Sequence, residues 1–397
     1  MQCEPIIERA EQAQFTIPAT RMMRVLAYVH LRNIHGSTGA GRVARQITEQ
    51  LAKRSNMEVR ILADRNDASR ILPLVGKPWT DYSYHLFAAD TSKQQARWLA
   101  LNSPAAERFW PQTDIVYCAG ESYVPVVKSR LVVTAHDAAY FEEGAHKRDQ
   151  AYWRQRWKWQ ILFRKLESRA DMIHTVSNFS AERLVHFFPK LANRVRVVPN
   201  AVTPCFFEAQ SQEGINYLKE MNLLGRRYIL VPGGLHYRKN AELILQAAPR
   251  VLKHDSKVIL VIAGHCQPIY SQKTQEISNR VLLTGFVDDV ALHALYGHAS
   301  VVWYPSRYEG FGLPVLEAMA SGAPVVASRA SSIPEIAGDA ALLAEPNDPM
   351  DHVGILVALL DQPELCSELI QSGQARASQF TWAQSAAKLS HCFDEIL

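Results

Sequence analysis

Short apolar strands alternate with helical stretches along this chain, and the alternation runs through twice. The first series opens with Arg24-Val-Leu-Ala-Tyr-Val29 and continues with 58–62, 114–118, 131–135, 172–176 and 194–198. A glycine-rich loop, Gly36-Ser-Thr-Gly-Ala-Gly41, follows the first strand. A helix then reaches about Lys53, with Val43, Ile47 and Leu51 recurring every four residues as one buried stripe. Short, continuously apolar strands separated by helices imply parallel sheets covered on both faces. The pattern restarts with Tyr228–Val231, a Gly-Gly turn and a helix from Asn240 to Leu252. Strands follow at 257–263, 281–283, 301–304, 324–327 and 341–343, with a helix over 313–321. Between the halves, 200–214 is rich in turn formers and has no period, which reads as a linker. The expected fold is α/β: two doubly wound domains facing a cleft, with ligands beyond the carboxyl ends of the strands.

Composition supports this and narrows the function. The 397 residues suit two domains, and 48% apolar with 21% charged residues excludes global disorder. A net charge of +4 is too small to point to nucleic acid, so no nucleic-acid partner is expected. The six cysteines (3, 118, 205, 266, 366 and 392) form no CxxC pair, which favours a reducing compartment. The first twenty residues lack the apolar core of a signal peptide, and no apolar run approaches the ~18 residues of a membrane span. A cytoplasmic protein is expected, touching a membrane at most peripherally.

The most informative segment runs from Tyr304 to Ala327. A strand ends at Tyr304, Gly310 and Gly312 permit a tight turn, and Pro314 suits the start of a helix. A helix N-terminus after a glycine turn is a ready phosphate site. Glu317 is expected in the first helical turn, where its carboxylate either complements the dipole or accepts a vicinal diol. Glu309, before the turn, is either solvated or placed to accept sugar hydroxyls.

As a whole this segment resembles the E-x7-E signature of retaining GT-B glycosyltransferases, specifically glycosyltransferase family 4. The resemblance extends over about 24–397. It includes Gly39-Ala-Gly-Arg-Val-Ala-Arg45, Thr134-Ala-His-Asp137, 170–180, Val197-Val-Pro-Asn200, Gly233-Gly-Leu-His-Tyr-Arg-Lys-Asn240, 283–287, 333–340 and Phe380-Thr-Trp382. It implies two Rossmann-like domains, 1–205 for the acceptor and 206–380 for the nucleotide-sugar donor, with a last helix in 381–397 returning to the first domain. It implies that Glu309 meets the donor sugar and Glu317 the ribose, with Phe311, Gly312 and Leu313 amides against sugar and diphosphate. Lys239 matches the family lysine on the diphosphate. It also stands at an expected helix start, a position unfavourable to a cation without an anionic ligand.

One position departs from the pattern. Many members carry an arginine six residues before this lysine, where Gly233 stands here, and Arg238 is the expected substitute. His136, at a strand end, matches a family histidine near the reacting centre. Gly39 and Gly41 match the glycine loop that approaches acceptor or diphosphate, against the plainer reading of a βα turn. No metal or other cofactor is expected: HExxH and EF-hand motifs are absent, and Asp288-Asp289 reads as a helix cap.

From Lys147 to Arg169, eight Lys/Arg stand against two acids, interleaved with Tyr152, Trp153, Trp157, Trp159 and Phe163. This is either an interfacial helix for anionic head groups or a lipid-linked acceptor, or a core-packed helix with solvated charges; the second is preferred. The resemblance implies transfer of a hexose from a nucleoside-diphosphate sugar to a glycan or lipid-linked acceptor with retention, in polysaccharide or lipopolysaccharide synthesis. The wording around Arg238–Asn240 and Glu309–Leu313 looks like mannosyltransferase branches, which makes GDP-mannose the first donor and UDP-sugars the alternative. An epimerase, a dehydrogenase and a non-catalytic sugar-nucleotide-binding partner are the rivals. The E-x7-E signature speaks against the first and the missing dinucleotide fingerprint against the second. Intact Glu309, Glu317, Lys239 and His136 speak against the third.

Overall fold

The computed structural model describes residues 22–35, 38–88 and 90–397. The expectations placed on the first twenty residues, and on Gly36 and Ser37 of the glycine loop, lie outside them. The first sheet holds seven parallel strands: β1 (Met23–Tyr28), β2 (Met57–Asp64), β3 (Tyr84–Phe87), β4 (Ile115–Cys118), β5 (Arg130–Ala135), β6 (Met172–Thr175) and β7 (Val195–Val197). Their spatial order is β3-β2-β1-β4-β5-β6-β7. The second sheet holds β8 (Tyr228–Pro232), β9 (Ile259–Ala263), β10 (Val281–Gly285), β11 (Val301–Tyr304), β12 (Val325–Ser328) and β13 (Leu342–Ala344). Its order is β10-β9-β8-β11-β12-β13, again parallel.

Both sheets reverse direction of travel at their middle, between β1 and β4 in one and between β8 and β11 in the other. A reversal splays the two following loops apart and leaves a crevice at the carboxyl ends of the strands. The segment containing Glu309 leaves β11 and the segment containing Lys239 leaves β8, so both rise from the second crevice.

Central strands β4, β5, β6, β8, β9, β11 and β12 are buried almost throughout. This is why they read as unbroken apolar runs. Strand β3 was not expected. It is an edge strand, paired only with β2 and half-buried, so Tyr84-His-Leu-Phe87 carries no continuous apolar signal. Residues 200–211 hold one 3-10 turn, Pro204–Phe207, whose Phe206 is fully buried against the rings of His293 and Tyr296. Ser211 then caps a helix, Gln212–Glu220, by accepting from Gly214 N at 3.1 Å.

The Pro363–Ala377 helix lies on the second domain, against Leu313–Ala320. The next helix, Trp382–Asp394, lies on the first, against Gly39–Ala52. It is tied there by Ser385 Oγ donating to Pro199 O at 2.7 Å and by Phe393, whose ring sits 5.8 Å from Tyr117. Phe393 belongs to one apolar cluster that runs from Val25 and Tyr117 through Leu389 to Phe311 and Val302, joining the inner faces of both domains. Truncating a buried aromatic forfeits transfer energy and leaves a cavity. Phe393→Ala should therefore lower stability by about 3–5 kcal/mol, read as a lower urea midpoint at unchanged slope.

Candidate active site

A cavity of about 720 Å³ separates the two domains. Its walls include His136 and Asp137 after β5, Gly39 and Arg42 on the Gly39–Ala52 helix, Arg238 and Lys239 after β8, and Glu309–Leu313 with Glu317 after β11. Every site residue expected from the sequence except Gly41 lines it.

Gly41 is a correction. Thr38 caps the helix by accepting from Gly41 N at 3.1 Å, so the helix starts at Gly39 and the two glycines form its first turn rather than a loop. A Cβ on Gly41 would come within 1.8 Å of Asn33 O. Gly41 therefore serves the packing of this helix on the preceding segment, while its neighbours Gly39, Ala40 and Arg42 line the cavity.

Lys239 is placed differently from expectation too. It ends a tight 3-10 turn, Tyr237–Lys239, and Asn240 with φ +59° intervenes before the Ala241–His254 helix. The lysine thus stands just outside the helix, and a carboxylate rather than the helix dipole is its main neighbour. Its ammonium donates to Glu309 Oε1 at 2.6 Å and to the Tyr304 hydroxyl. Gly233 gives it room, since a Cβ there would lie 2.9 Å from Lys239 Cε. Arg238 donates to Asp137 Oδ2 of the first domain at 2.9 Å and stands 3.7 Å from Glu309 Oε2. Its Nε donates to Tyr308 O at 2.9 Å.

Glu309 is only 8% exposed and also accepts from Ser306 Oγ. Burial alone would raise its carboxyl, but Lys239 and Arg238 outweigh burial and hold it down at about 2. It is not a solvated acid. Burial pulls the Lys239 ammonium below its ordinary value, with Glu309 opposing.

Glu317 sits in the second turn of the Leu313–Ala320 helix, not the first as expected, and is 2% exposed. Complementing the helix dipole does not account for it. Its partner is Arg42, which reaches across from the first domain and also pairs with Asp289. Tyr296 OH donates to the other oxygen of Glu317 at 3.4 Å. Burial pushes this carboxyl up, against the pull of Arg42. Asp288 is the helix cap that the sequence reading expected, accepting from Ala291 N at 2.8 Å. Its neighbour Asp289 is instead drawn into the cleft.

The Leu313–Ala320 helix starts after Gly312 without a side-chain cap, and Gly312, Leu313 and Pro314 line the cavity, so this helix end faces it. Gly310 allows a close approach of the two domains: a Cβ there would sit 2.4 Å from His136 O, and its carbonyl accepts from Ser177 and Ser180 hydroxyls at 2.6 and 2.9 Å. His136 Nε2 is buried and has no hydrogen-bond partner among the described residues. The cavity thus combines an uncapped helix end, cations held by carboxylates, and a free imidazole nitrogen. This set suits an anion flanked by hydroxyl groups.

Sequence reasoning gave no role to Arg42 or Asp137 and read Asp289 only as part of a helix cap. Their only signal was adjacency to the glycine segment, to His136 and to the cap. The stretch 147–169 lies outside the cavity. It forms the helix Gln150–Arg169, which buries Tyr152, Leu162, Phe163 and Leu166 but leaves Trp153 and Trp157 exposed. Core packing thus accounts for one side of the helix only.

Removing one member of a buried ion pair strands the other charge, at a cost of about 3–5 kcal/mol. Arg42→Ala should be destabilised on that scale, and Arg42→Ala with Glu317→Gln should recover most of the loss. Urea unfolding of the two singles and the double closes this cycle.

Comparison with known proteins agrees with this geometry. Residues 37–204 match the family described as Glycosyltransferase Family 4, and 218–376 match Glycosyl transferases group 1. The O-antigen chain mannosyltransferase B of Escherichia coli is 33% identical over 279 residues, 68% of this chain and 71% of that protein. The serotype-specific mannosyltransferase WbdA of Escherichia coli is 29% identical over 240 residues, 58% of this chain but only 29% of that longer protein. Among solved structures, Anabaena Alr3699/HepE in complex with UDP-glucose superposes with a TM-score of 0.70 at 16% identity, covering 94% of this chain and all of the other, a likeness of fold alone. With both family halves matched in order on two facing Rossmann-like domains, the chain belongs to the GT-B glycosyltransferases of family 4 and is a glycosyltransferase.

Proposed function

We propose that this glycosyltransferase moves mannose from GDP-mannose to a hydroxyl of a glycan or lipid-linked acceptor, with retention, in the building of a bacterial polysaccharide or lipopolysaccharide. The relatives named mannosyltransferases, one of them for an O-antigen chain, support the sugar and the setting. A UDP-sugar is the alternative donor. The observation that carries the reading is the arrangement of Glu309 and Glu317 on either side of an uncapped helix end, with Lys239 and Arg238 beside it.

In this reading the chain divides at about 205 and 380. The first domain presents the acceptor, the second holds the donor, and 381–397 returns to the first. Glu317 accepts the ribose diol and Glu309 accepts hydroxyls of the sugar. Lys239, Arg238 and the amides from Phe311 to Leu313 face the diphosphate. A nucleoside diphosphate leaves with growing negative charge, so fixed cations and amides aimed at it lower the barrier. His136, with its free Nε2, lies at the strand end beside Gly310 and approaches the sugar from the first domain. The departing phosphate takes the acceptor proton on the same face, and the protein's part is positioning and electrostatics.

The donor is tested by thermal shift, since a ligand stabilises in proportion to ln(1 + [L]/Kd). GDP should raise the melting temperature more than UDP or ADP. A response to UDP alone would overturn the guanine assignment and leave the transferase reading standing. Calorimetry separates the side chains. Lys239→Ala should weaken GDP binding about tenfold to a hundredfold, the value of one charge-assisted contact, while guanosine binding stays. Glu317→Gln should weaken both. Glu309→Gln frees Lys239 from its carboxylate, so GDP affinity should hold or rise while turnover falls.

A further inference from the structure

The Gln150–Arg169 helix carries an exposed apolar line that no part of the described chain covers. Trp153 is 51% exposed, Trp157 65% and Ile161 39%, at four-residue spacing along one face. Among the described residues, no other helix exposes more than one large apolar side chain. Exposed Arg154 and Lys158 run alongside. Arg156 folds back over the Trp153 and Phe141 rings, 5.7 Å from each. The stretch 147–169 holds eight basic and two acidic residues within a chain whose net charge is only +4; Arg148 is paired with Glu143, while Arg154 and Lys158 stay exposed beside the tryptophans.

We infer that this face docks the enzyme on an anionic lipid bilayer. Tryptophan suits the boundary between head groups and acyl chains, being apolar in body with one polar N–H. Flanking cations supply the attraction that two indoles and an isoleucine lack alone. A second copy of this chain is disfavoured as occupant, because two such faces would bring like charges together. The location fits as well. Residues 136–149 run directly from the cavity to this helix: Asp137 pairs with Arg238 in the cavity, and Tyr140 stacks on His146 and Trp159 at 4.5 and 5.8 Å. Tyr152 OH donates to Tyr140 O at 3.0 Å. A bilayer on this face would lie beside the acceptor side of the cleft. Docking is independent of the donor's identity, so its failure would leave GDP-mannose transfer untouched.

The test is co-sedimentation of the full chain with vesicles of phosphatidylcholine alone or mixed with phosphatidylglycerol. Binding is expected to the mixed vesicles only, and to fall as salt rises. Each basic side chain near an anionic surface is worth about fivefold in partition. Arg154→Gln with Lys158→Gln should therefore lose about twenty-five-fold. Trp153→Ser with Trp157→Ser should lose about tenfold or more. Both double variants should stay folded and keep the wild-type GDP response, because none of the four side chains lines the cavity between the domains. No binding to mixed vesicles, equal binding to neutral ones, or tryptophan-dependent dimerisation in their place would overturn the proposal.

Discussion

Arg238 stands between two carboxylates that belong to opposite sides of the cleft, Asp137 at 2.9 Å and Glu309 at 3.7 Å. Much of the site follows from this. Glu309 is buried, and a buried carboxylate stays ionised only where cations and donors surround it. Arg238, Lys239 and Ser306 supply them. Because Arg238 is shared with Asp137, the ionisation of an acid in the second domain is coupled to the position of the first. The same logic recurs a few residues on, where Glu317 is neutralised by Arg42 from the other domain. Closure and charge compensation are one arrangement here.

A third crossing is neutral on one side. The Glu335 carboxylate accepts from Asn178 N, Asn178 Nδ2 and Phe179 N at 2.8, 2.9 and 3.0 Å. These are the opening amides of the Asn178–Phe187 helix, where a negative charge is favoured by the dipole. This contact lies outside the cavity and makes no demand on its acids. With the Ser177 and Ser180 hydroxyls on Gly310 O, it ties the domains together without using the cavity's charges.

How much of this was legible in the sequence depends on what each residue's neighbours demand. Central strands are buried on both faces, so 228–231 and 301–304 showed as apolar runs, whereas β3 at the sheet edge did not. Glu309 and Glu317 stood out through their spacing around a glycine turn. Arg42 did not, because one arginine in an amphipathic helix has the same local pattern whether it meets solvent or an acid 275 positions away. Gly41 misled for a related reason: glycine marks close approach but does not say to what, and here the neighbour is Asn33 O. His136 and His174 look alike in sequence. Yet His174 is packed in the core with Thr134 Oγ1 and Val198 O at 3.1 Å, while His136 keeps a free nitrogen.

The charges lining the cavity bear on which ligand it can accept. Arg42, Arg238 and Lys239 stand against Asp137, Asp289, Glu309 and Glu317. His236 beside them is held neutral, burial and then Lys239 lowering it to about 4. Three cations facing four carboxylates are not an empty basic pocket waiting for phosphate. A diphosphate without a sugar draws Lys239 and Arg238 partly away from Glu309, which then keeps Ser306 but loses part of its charge compensation. A ligand that brings hydroxyl groups with the phosphates offsets that loss. In the roles proposed above, its sugar hydroxyls would donate to Glu309 as the cations turn to the diphosphate, and its ribose diol would donate to Glu317 as Arg42 turns to Asp289. The first exchange replaces charged partners by neutral donors on the acid while the cations gain an anion, and in the second Arg42 keeps its pair with Asp289. Under the roles proposed above, the cavity selects a diphosphate joined to polyols at both ends over either part alone, and it does so through acids that are already satisfied before the ligand arrives.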